Sequence, residues 1–94
     1  MCRITVSCTG VSEKAALAGL GDIAEEFVHR PWQQSVRCAW EGGRLVLHAT
    51  NDYDANGKAL LGEFSDAVCA CLLVEDNELR FAVESVVTLP DSEA

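Results

Sequence analysis

Apolar and polar residues alternate in four segments of the chain, and each alternating segment predicts a β-strand. The first covers residues 3–9, and the last begins at residue 79 and runs to about residue 88. Between them, two segments flank a turn at residues 41–44 whose Gly42-Gly43 pair is typical of a tight hairpin. Successive side chains of a strand point to opposite faces, so each strand has one buried side and one open side. The predicted buried positions are Ile4, Val6, Cys8, Val36, Cys38, Trp40, Leu45, Leu47, Ala49, Leu79, Phe81 and Val83.

Two other segments repeat apolar residues at helical spacing. The first begins at Glu13 with Ser12 as the predicted N-cap, and Arg30-Pro31 stops it because the residue before proline disfavours the helical conformation. Its apolar positions are Ala16, Leu17, Leu20, Ile23, Ala24, Phe27 and Val28. Gly19 and Gly21 weaken this helix, and we expect them to let it approach the sheet closely. The second helix follows a polar loop at residues 51–57, with its last turn at Asp76-Asn77. Its predicted buried side is Leu60, Leu61, Phe64, Val68, Cys71 and Leu72.

The order of these elements is β-α-β-β-α-β. Two crossovers that each contain a helix, with a hairpin between them, predict an α+β fold of the ferredoxin-like type. In that arrangement a four-stranded antiparallel sheet carries both helices on one face and leaves the other face open. We therefore expect one domain over residues 1–89, followed by a short acidic tail over residues 90–94.

The open face holds the first candidate site. Alternation places on it Arg3, Thr5, Ser7, Arg37, Ala39, Val46, His48, Thr50, Arg80, Ala82, Glu84 and Val86. Three of the seven basic residues of the chain are in this set, Arg44 is a fourth candidate, and Glu84 is its single predicted acid.

Three interpretations of this face remain open. In the leading one it is a homodimer interface, with small apolar residues in contact and arginines at the rim. In the second it is merely solvated, and its charges discourage sheet-to-sheet association. In the third Arg3, Arg37 and Arg80 bind an anion or metabolite, with His48 as a titratable neighbour.

A second candidate site is the loop that contains Asp52, Asp54, Asn56 and Gly57, together with Glu63. These residues fit the calcium-loop pattern D-x-[DN]-x-[DN]-G-x₅-E. The segment before Asp52 alternates like a strand, however, and Leu60 offers no oxygen at the ninth loop position. The favoured interpretation is therefore that Asp54 or Asn56 caps the second helix, and Ca²⁺ binding is the alternative.

Charge and composition narrow the classes of partner. The chain has 94 residues, 15 acidic against 7 basic side chains and a net charge of −8. Its mean hydropathy of +0.11 is that of a globular chain rather than a disordered one. Nucleic acid and anionic membranes are unfavourable partners for such acidity, and the open face has no aromatic residue for base stacking.

The cysteines and the start of the chain bear on the compartment. The five cysteines show no C-x-x-C spacing, which favours reduced, structural thiols in the cytoplasm. The first residues lack the apolar stretch of a signal peptide, and no apolar run reaches the length of a membrane helix.

No hydrolase, phosphate-loop or metalloprotease motif is present, so no catalytic residue and no cofactor are predicted. The sequence favours a small cytosolic, non-enzymatic module that self-associates through the sheet and binds a protein or small molecule. The alternatives are a calcium-binding module, and a small enzyme or anion-binding protein built around His48.

Overall fold

The computed structural model describes residues 1–72 and 79–89, which form one antiparallel sheet and two helices. The strands are β1 (Cys2–Thr9), β2 (Gln34–Glu41), β3 (Arg44–Asn51) and β4 (Arg80–Thr88). The helices are α1 (Glu13–Glu26), which continues into a 3₁₀ turn at Phe27–His29, and α2 (Lys58–Cys71). All neighbouring strands are antiparallel, in the order β2-β3-β1-β4. The α+β prediction and the element order are confirmed.

The predicted hairpin joins β2 to β3. Gly42 and Gly43 have φ values of +58° and +80°, so both central residues of the turn are left-handed. A two-residue turn with positive φ at both positions matches the right-handed twist of the flanking strands, and glycine adopts that conformation without strain.

The core lies between the helices and one face of the sheet. Its strand residues are Ile4, Val6, Cys8, Leu45, Leu47 and Ala49, and its helix residues include Ala16, Ile23, Leu60, Phe64, Ala67 and Val68. Phe64 of α2 meets Phe81 of β4 edge to face, with ring centroids 5.9 Å apart. These strand residues all point to the side of the sheet on which the helices pack, and no helix from the described part of the chain covers the opposite side.

The apolar stripe of α1 is narrower than its sequence suggests. Ala16, Ile23 and Phe27 are buried, whereas Leu17 is 52% exposed and Val28 is 73% exposed. The predicted burial of Leu17 and Val28 was wrong. Leu17 lies one position, about 100° around the helix, from Ala16. Val28 lies in the 3₁₀ turn, where the α-helical spacing no longer applies.

The ends of α1 follow the predicted local signals. Ser12 Oγ accepts a hydrogen bond from Ala15 N at 3.1 Å, as an N-cap does. At the other end Arg30 Nη1 donates to the carbonyl of Glu26 at 2.8 Å and satisfies one of the last carbonyls. The expected role of Gly19 was wrong in one respect. A Cβ there would collide with Leu72, so this glycine permits close approach of the end of α2 rather than of the sheet.

A bulge in β4 changes which residues face the core. Thr5 pairs with Ser85 and Val6 pairs with Val83, which leaves Glu84 as the extra residue. The alternation therefore shifts by one position after Glu84. Val86 packs against the core and Val87, 50% exposed, takes its place on the open face, so the predicted outward position of Val86 was wrong.

All five cysteines are free thiols. Burial raises the pKa of Cys8 to about 11 and that of Cys38 to about 12. For Cys71, burial first and the carboxylate of Glu26 second raise the pKa. Neutral thiols are weak nucleophiles, so these three behave as structural side chains.

Two predictions fall on segments outside the described residues: the last helical turn at Asp76-Asn77 and the acidic tail at residues 90–94. Among residues 1–72 and 79–89, no helix is long and apolar enough to cross a membrane.

Gly57 and Gly21 provide a matched test of this packing. Gly57 precedes α2 with φ of +76°, and a Cβ there would lie 2.9 Å from Val83 Cγ1 and 3.1 Å from Ile4 Cγ2. We expect Gly57→Ala to lower the free energy of unfolding by about 2 kcal/mol or more, from left-handed strain and overpacking. Gly21 has no atom near that position, so Gly21→Ala should raise it by about 1 kcal/mol. Urea unfolding measures both, and equal effects of the two changes would contradict the packing described.

Candidate functional site

The antiparallel register arranges the open face in rows that cross the strands. The small row consists of Ala39, Val46, Ser7 and Ala82, which pair from strand to strand. The Arg44 row on one side of it consists of Glu41, Arg44, Thr9 and Arg80. The His48 row on the other side consists of Arg37, His48, Thr5 and Ser85. The chemistry of the face is therefore a row of small side chains between two polar rows.

One ion pair crosses the centre of this face. Glu84 Oε2 accepts a hydrogen bond from Ser7 Oγ at 2.7 Å, and Glu84 Oε1 lies 3.3 Å from Arg44 Nη2. Since β1 lies between β3 and β4, the pair spans β1 above Ser7. Ser7 is only 2% exposed as a result.

A second group surrounds His48. His48 Nδ1 shares a 3.0 Å hydrogen bond with the hydroxyl of Thr5, and the tautomer of the ring decides which atom donates. His48 Nε2 lies 3.5 Å from Glu41 Oε2, without an aligned hydrogen bond. The same carboxylate oxygen is 3.9 Å from Arg37 Nη2. The Arg37 side chain is 72% exposed, so this pair contributes little to stability.

The small row explains why these groups can lie so close to the sheet. Charged side chains of the two polar rows extend across residues too small to obstruct them. Val46 is only 2% exposed although no helix of the described chain covers it. The prediction that Glu84 is the single acid of this face was wrong. Glu41 also lies on the face, two positions beyond Ala39 in the same alternation. The sequence pattern assigns Glu41 to the hairpin turn rather than to the strand. The centre of the face is thus a layer of compensated charge rather than bare apolar surface.

The structure places the four predicted site residues on the same face but not in one cluster. Arg37 lies on edge strand β2 and Arg80 on the opposite edge strand β4, which are three strand spacings or about 14 Å apart across the sheet, and the two arginines also lie in different rows. Arg3 lies beyond the His48 row, between Thr50 and Val87. His48 contacts Thr5 and approaches Glu41, but none of the three arginines forms an anion site around it.

The Thr5, His48 and Glu41 contacts have the order hydroxyl, imidazole, carboxylate that nucleophilic enzymes use. Such a site also needs a pocket that holds a substrate against the hydroxyl. Two cavities formed by described residues lie on the helix side instead. One, of about 320 Å³, is lined by Asp22, Glu25, Glu26, His29, Ala70 and Cys71. The other, of about 220 Å³, is lined by Ala15, Ala18, Gly19, Cys71 and Leu72.

In the Asp-rich loop, the carboxylate of Asp54 bonds to the first turn of α2. Its Oδ1 accepts from Ala59 N at 3.1 Å and its Oδ2 accepts from Leu60 N at 2.8 Å. Asn56 Oδ1 accepts from Lys58 N at 3.0 Å. Both side chains therefore satisfy amides that a helix start leaves without partners.

Glu63, the last residue of the calcium pattern, has other contacts. Its Oε1 accepts from Trp32 Nε1 at 2.8 Å and lies 3.3 Å from Arg30 Nε, and its Oε2 accepts from Gln33 Nε2 at 2.9 Å. In residues 1–72 and 79–89, no three His, Cys, Asp or Glu side chains are grouped so as to hold a metal ion. The calcium site stays a prediction, and the observed contacts of Asp54 and Glu63 do not support it.

Two buried amides complete this loop, and sequence reasoning missed both. Asn51 Oδ1 accepts from the backbone N–H groups of Tyr53 and Asp54, at 3.2 and 2.9 Å. Asn51 Nδ2 donates to Gln33 Oε1 at 2.9 Å. Asn51 directly follows the alternating strand, which was the available signal, but nothing in the sequence pairs it with Gln33.

Asp54→Ala separates capping from calcium binding. Loss of two hydrogen bonds to helix amides should lower the free energy of unfolding by about 1–3 kcal/mol, equally in EDTA and in millimolar Ca²⁺. Asp52→Ala, at an exposed position, is the control and should change little. A Ca²⁺-dependent rise in Tm that Asp52→Ala abolishes would contradict the capping account, because a ligand of the folded state must stabilise it.

Comparison of the chain with known protein families, with curated proteins and with solved structures finds no match.

Proposed function

We propose that the protein is a non-enzymatic, self-associating module that forms a homodimer through its open sheet face. The observation that carries this proposal is the charge pattern of the two edge strands. Edge strand β2 presents Arg37 in the His48 row and Glu41 in the Arg44 row. Edge strand β4 presents Glu84 beside the His48 row and Arg80 in the Arg44 row. The two edges therefore have opposite signs at matching levels.

A dimer with its two-fold axis parallel to the strands brings each of these four edge charges opposite a charge of the other sign. It places β2 over β4 of a second copy and leaves every row over its own counterpart. Arg37 then faces the partner's Glu84, and Glu41 faces the partner's Arg80. Symmetry repeats both contacts, which gives four ion pairs around the interface.

The small row suits the centre of such an interface. Ala39 faces the partner's Ala82, and Val46 faces the partner's Ser7. Side chains of this size let two sheets approach to the usual separation of about 10 Å.

An axis perpendicular to the strands fits the charges less well. It places β2 over β2 of the second copy and exchanges the two polar rows. Arg37 would still meet a carboxylate, the partner's Glu41, but Arg44 would lie over the partner's His48. The parallel axis instead places Arg44 over a threonine hydroxyl, the partner's Thr9.

The size of the face sets the expected affinity. Four strands at about 4.8 Å spacing and eight residues at about 3.3 Å give roughly 500 Å² per subunit. The total of about 1,000 Å² is at the lower limit for specific interfaces. Each intersubunit ion pair also replaces one that exists within the chain, so the net electrostatic gain is small. We expect a dissociation constant in the micromolar range that rises with salt.

We also propose the ferredoxin-like assignment as the finer description of the fold. It is supported by the order β-α-β-β-α-β, by the hairpin between β2 and β3, and by the central position of β1 and β3 in the sheet. It bears on function because this arrangement leaves a whole sheet face available to a second copy.

Charge reversal on the edges tests the dimer. Arg37→Glu and Glu84→Arg should each weaken dimerisation about tenfold, because each change places like charges together at two symmetric points. The double variant should restore affinity to within about threefold, since the contact is rebuilt with opposite polarity. Lys14→Glu, an equal charge change on exposed α1, is the matched control. Sedimentation equilibrium over a concentration series measures each constant.

Two results would overturn the dimer. One is a wild-type protein that remains monomeric at millimolar concentration. The other is a folded double variant, checked by circular dichroism, that associates no better than either single variant.

A further inference from the structure

Two aromatic side chains, Trp32 and Tyr53, stand half exposed at the end of the sheet where β2 begins and β3 ends. Their exposed fractions are 49% and 51%. Both direct their polar atoms at one carboxylate. Trp32 Nε1 donates to Glu63 Oε1 at 2.8 Å, and the Tyr53 hydroxyl lies 3.4 Å from Glu63 Oε2.

The two rings are held in place rather than left mobile. Gln33, only 5% exposed, donates from Nε2 to the Tyr53 hydroxyl at 3.0 Å and to Glu63 Oε2 at 2.9 Å. Gln33 is itself held by Asn51. Large aromatic side chains with fixed polar ends and exposed rings lose little entropy on binding, which is why Trp and Tyr dominate binding hot spots.

Charge around the rings is predominantly negative. Burial raises the pKa of the Tyr53 hydroxyl, and the carboxylates of Glu63, Asp54 and, least of all, Asp52 raise it further. Arg30 is the nearby cation, and it is already engaged. Its guanidinium lies 3.3 Å from Glu63 and 5.3 Å from the centroid of the Phe27 ring.

Arg30 is an example of a cation that binds between this carboxylate and an aromatic ring. Glu63 and the face of the Phe27 ring together hold its guanidinium, an alkylated and weakly hydrated cation. Among residues 1–72 and 79–89, no cation lies over the ring of Trp32 or over the ring of Tyr53. A cation placed over either exposed ring would gain the quadrupole of that ring and the negative potential of the loop.

We propose that Trp32 and Tyr53, with the carboxylates of Asp52 and Glu63, bind an alkylated ammonium group. The carboxylates repel an anion, and a neutral apolar ligand would gain nothing from them. A small metal ion keeps its hydration shell and gains little from the rings. The group can belong to a free metabolite or to a methylated lysine of a protein. This site goes beyond the proposed dimer and does not depend on it.

Choline and its neutral isostere 3,3-dimethylbutan-1-ol test the site directly. The readout is the indole N–H signal of Trp32 in ¹⁵N NMR, with Trp40, packed against the core, as the internal control. Choline should shift the Trp32 signal with half-saturation at about 10 to 50 mM, the order that contacts with exposed rings and nearby carboxylates allow. The alcohol should bind at least about tenfold more weakly, and Trp40 should not move.

Substitutions separate the contribution of the Tyr53 ring to choline binding from that of the Asp52 charge. Tyr53→Ala should weaken choline binding up to about fivefold, whereas Tyr53→Phe, which keeps the ring, should stay within about twofold of wild type. Asp52→Asn should weaken it about threefold by charge alone, and Asp66→Asn on the exposed side of α2 is the matched control. A trimethyllysine peptide that binds more tightly than choline identifies a protein side chain as the source, and equal affinity identifies a free ligand.

The proposal is overturned if choline and the alcohol shift Trp32 equally, or if choline at about 100 mM leaves the Trp32 signal in place. It is also overturned if Tyr53→Ala, folded by circular dichroism, binds choline as wild type does. None of these outcomes bears on the sedimentation of the protein, so failure of this site and failure of the dimer are distinguishable.

Discussion

The register of the four strands determines the chemistry of the open face, because it aligns four small side chains in one row across the sheet. Ala39, Val46, Ser7 and Ala82 each pair with the next. Larger residues at these positions would keep the flanking charged groups apart. With small ones, those groups lie flat and close over the row, and Val46 becomes buried on a face that lacks a helix in the described chain. A slip of one residue in any strand would remove this arrangement.

The same register gives the two edge strands their opposite charge patterns. Within one chain, Arg37 and Arg44 each pair with a carboxylate of the same face, although Arg44 Nε has no hydrogen-bond partner. The Arg37–Glu41 pair is exposed and the Arg44–Glu84 pair is partly exposed, so in the proposed dimer a second copy would exchange them at low cost. In the proposed dimer, the same charges that balance one another within one chain would be complementary to those of a second copy. Self-association would then need no overall charge attraction between two acidic chains.

Sequence patterning predicted the sheet well and its irregularities poorly. Alternation located Arg37 and His48 on the open face because their strands are regular there. It failed at Val86, since a bulge at Glu84 is decided by pairing with β1 and leaves no local pattern. Capping chemistry was predictable at Ser12 and Asp54, because both bond to amides a few residues away. The contacts of Glu63 were not, because they join three separate segments that only the tertiary fold brings together.

The two proposed surfaces differ in how they were found. The open face follows from alternation and register, whereas the site around Trp32 and Tyr53 follows from loop contacts that no periodicity describes. They also lie on different parts of the molecule, so the proposed dimer would leave the proposed aromatic site accessible.

Intermolecular methyl contacts test the central claim most directly. In an equal mixture of ¹³C-labelled and unlabelled protein, an isotope-filtered NOE experiment detects only contacts between copies. The parallel two-fold axis predicts cross-peaks between the Ala39 methyl and the partner's Ala82. Cross-peaks between Ala39 and the partner's Ala39, or none at a concentration where sedimentation shows a dimer, would contradict the account.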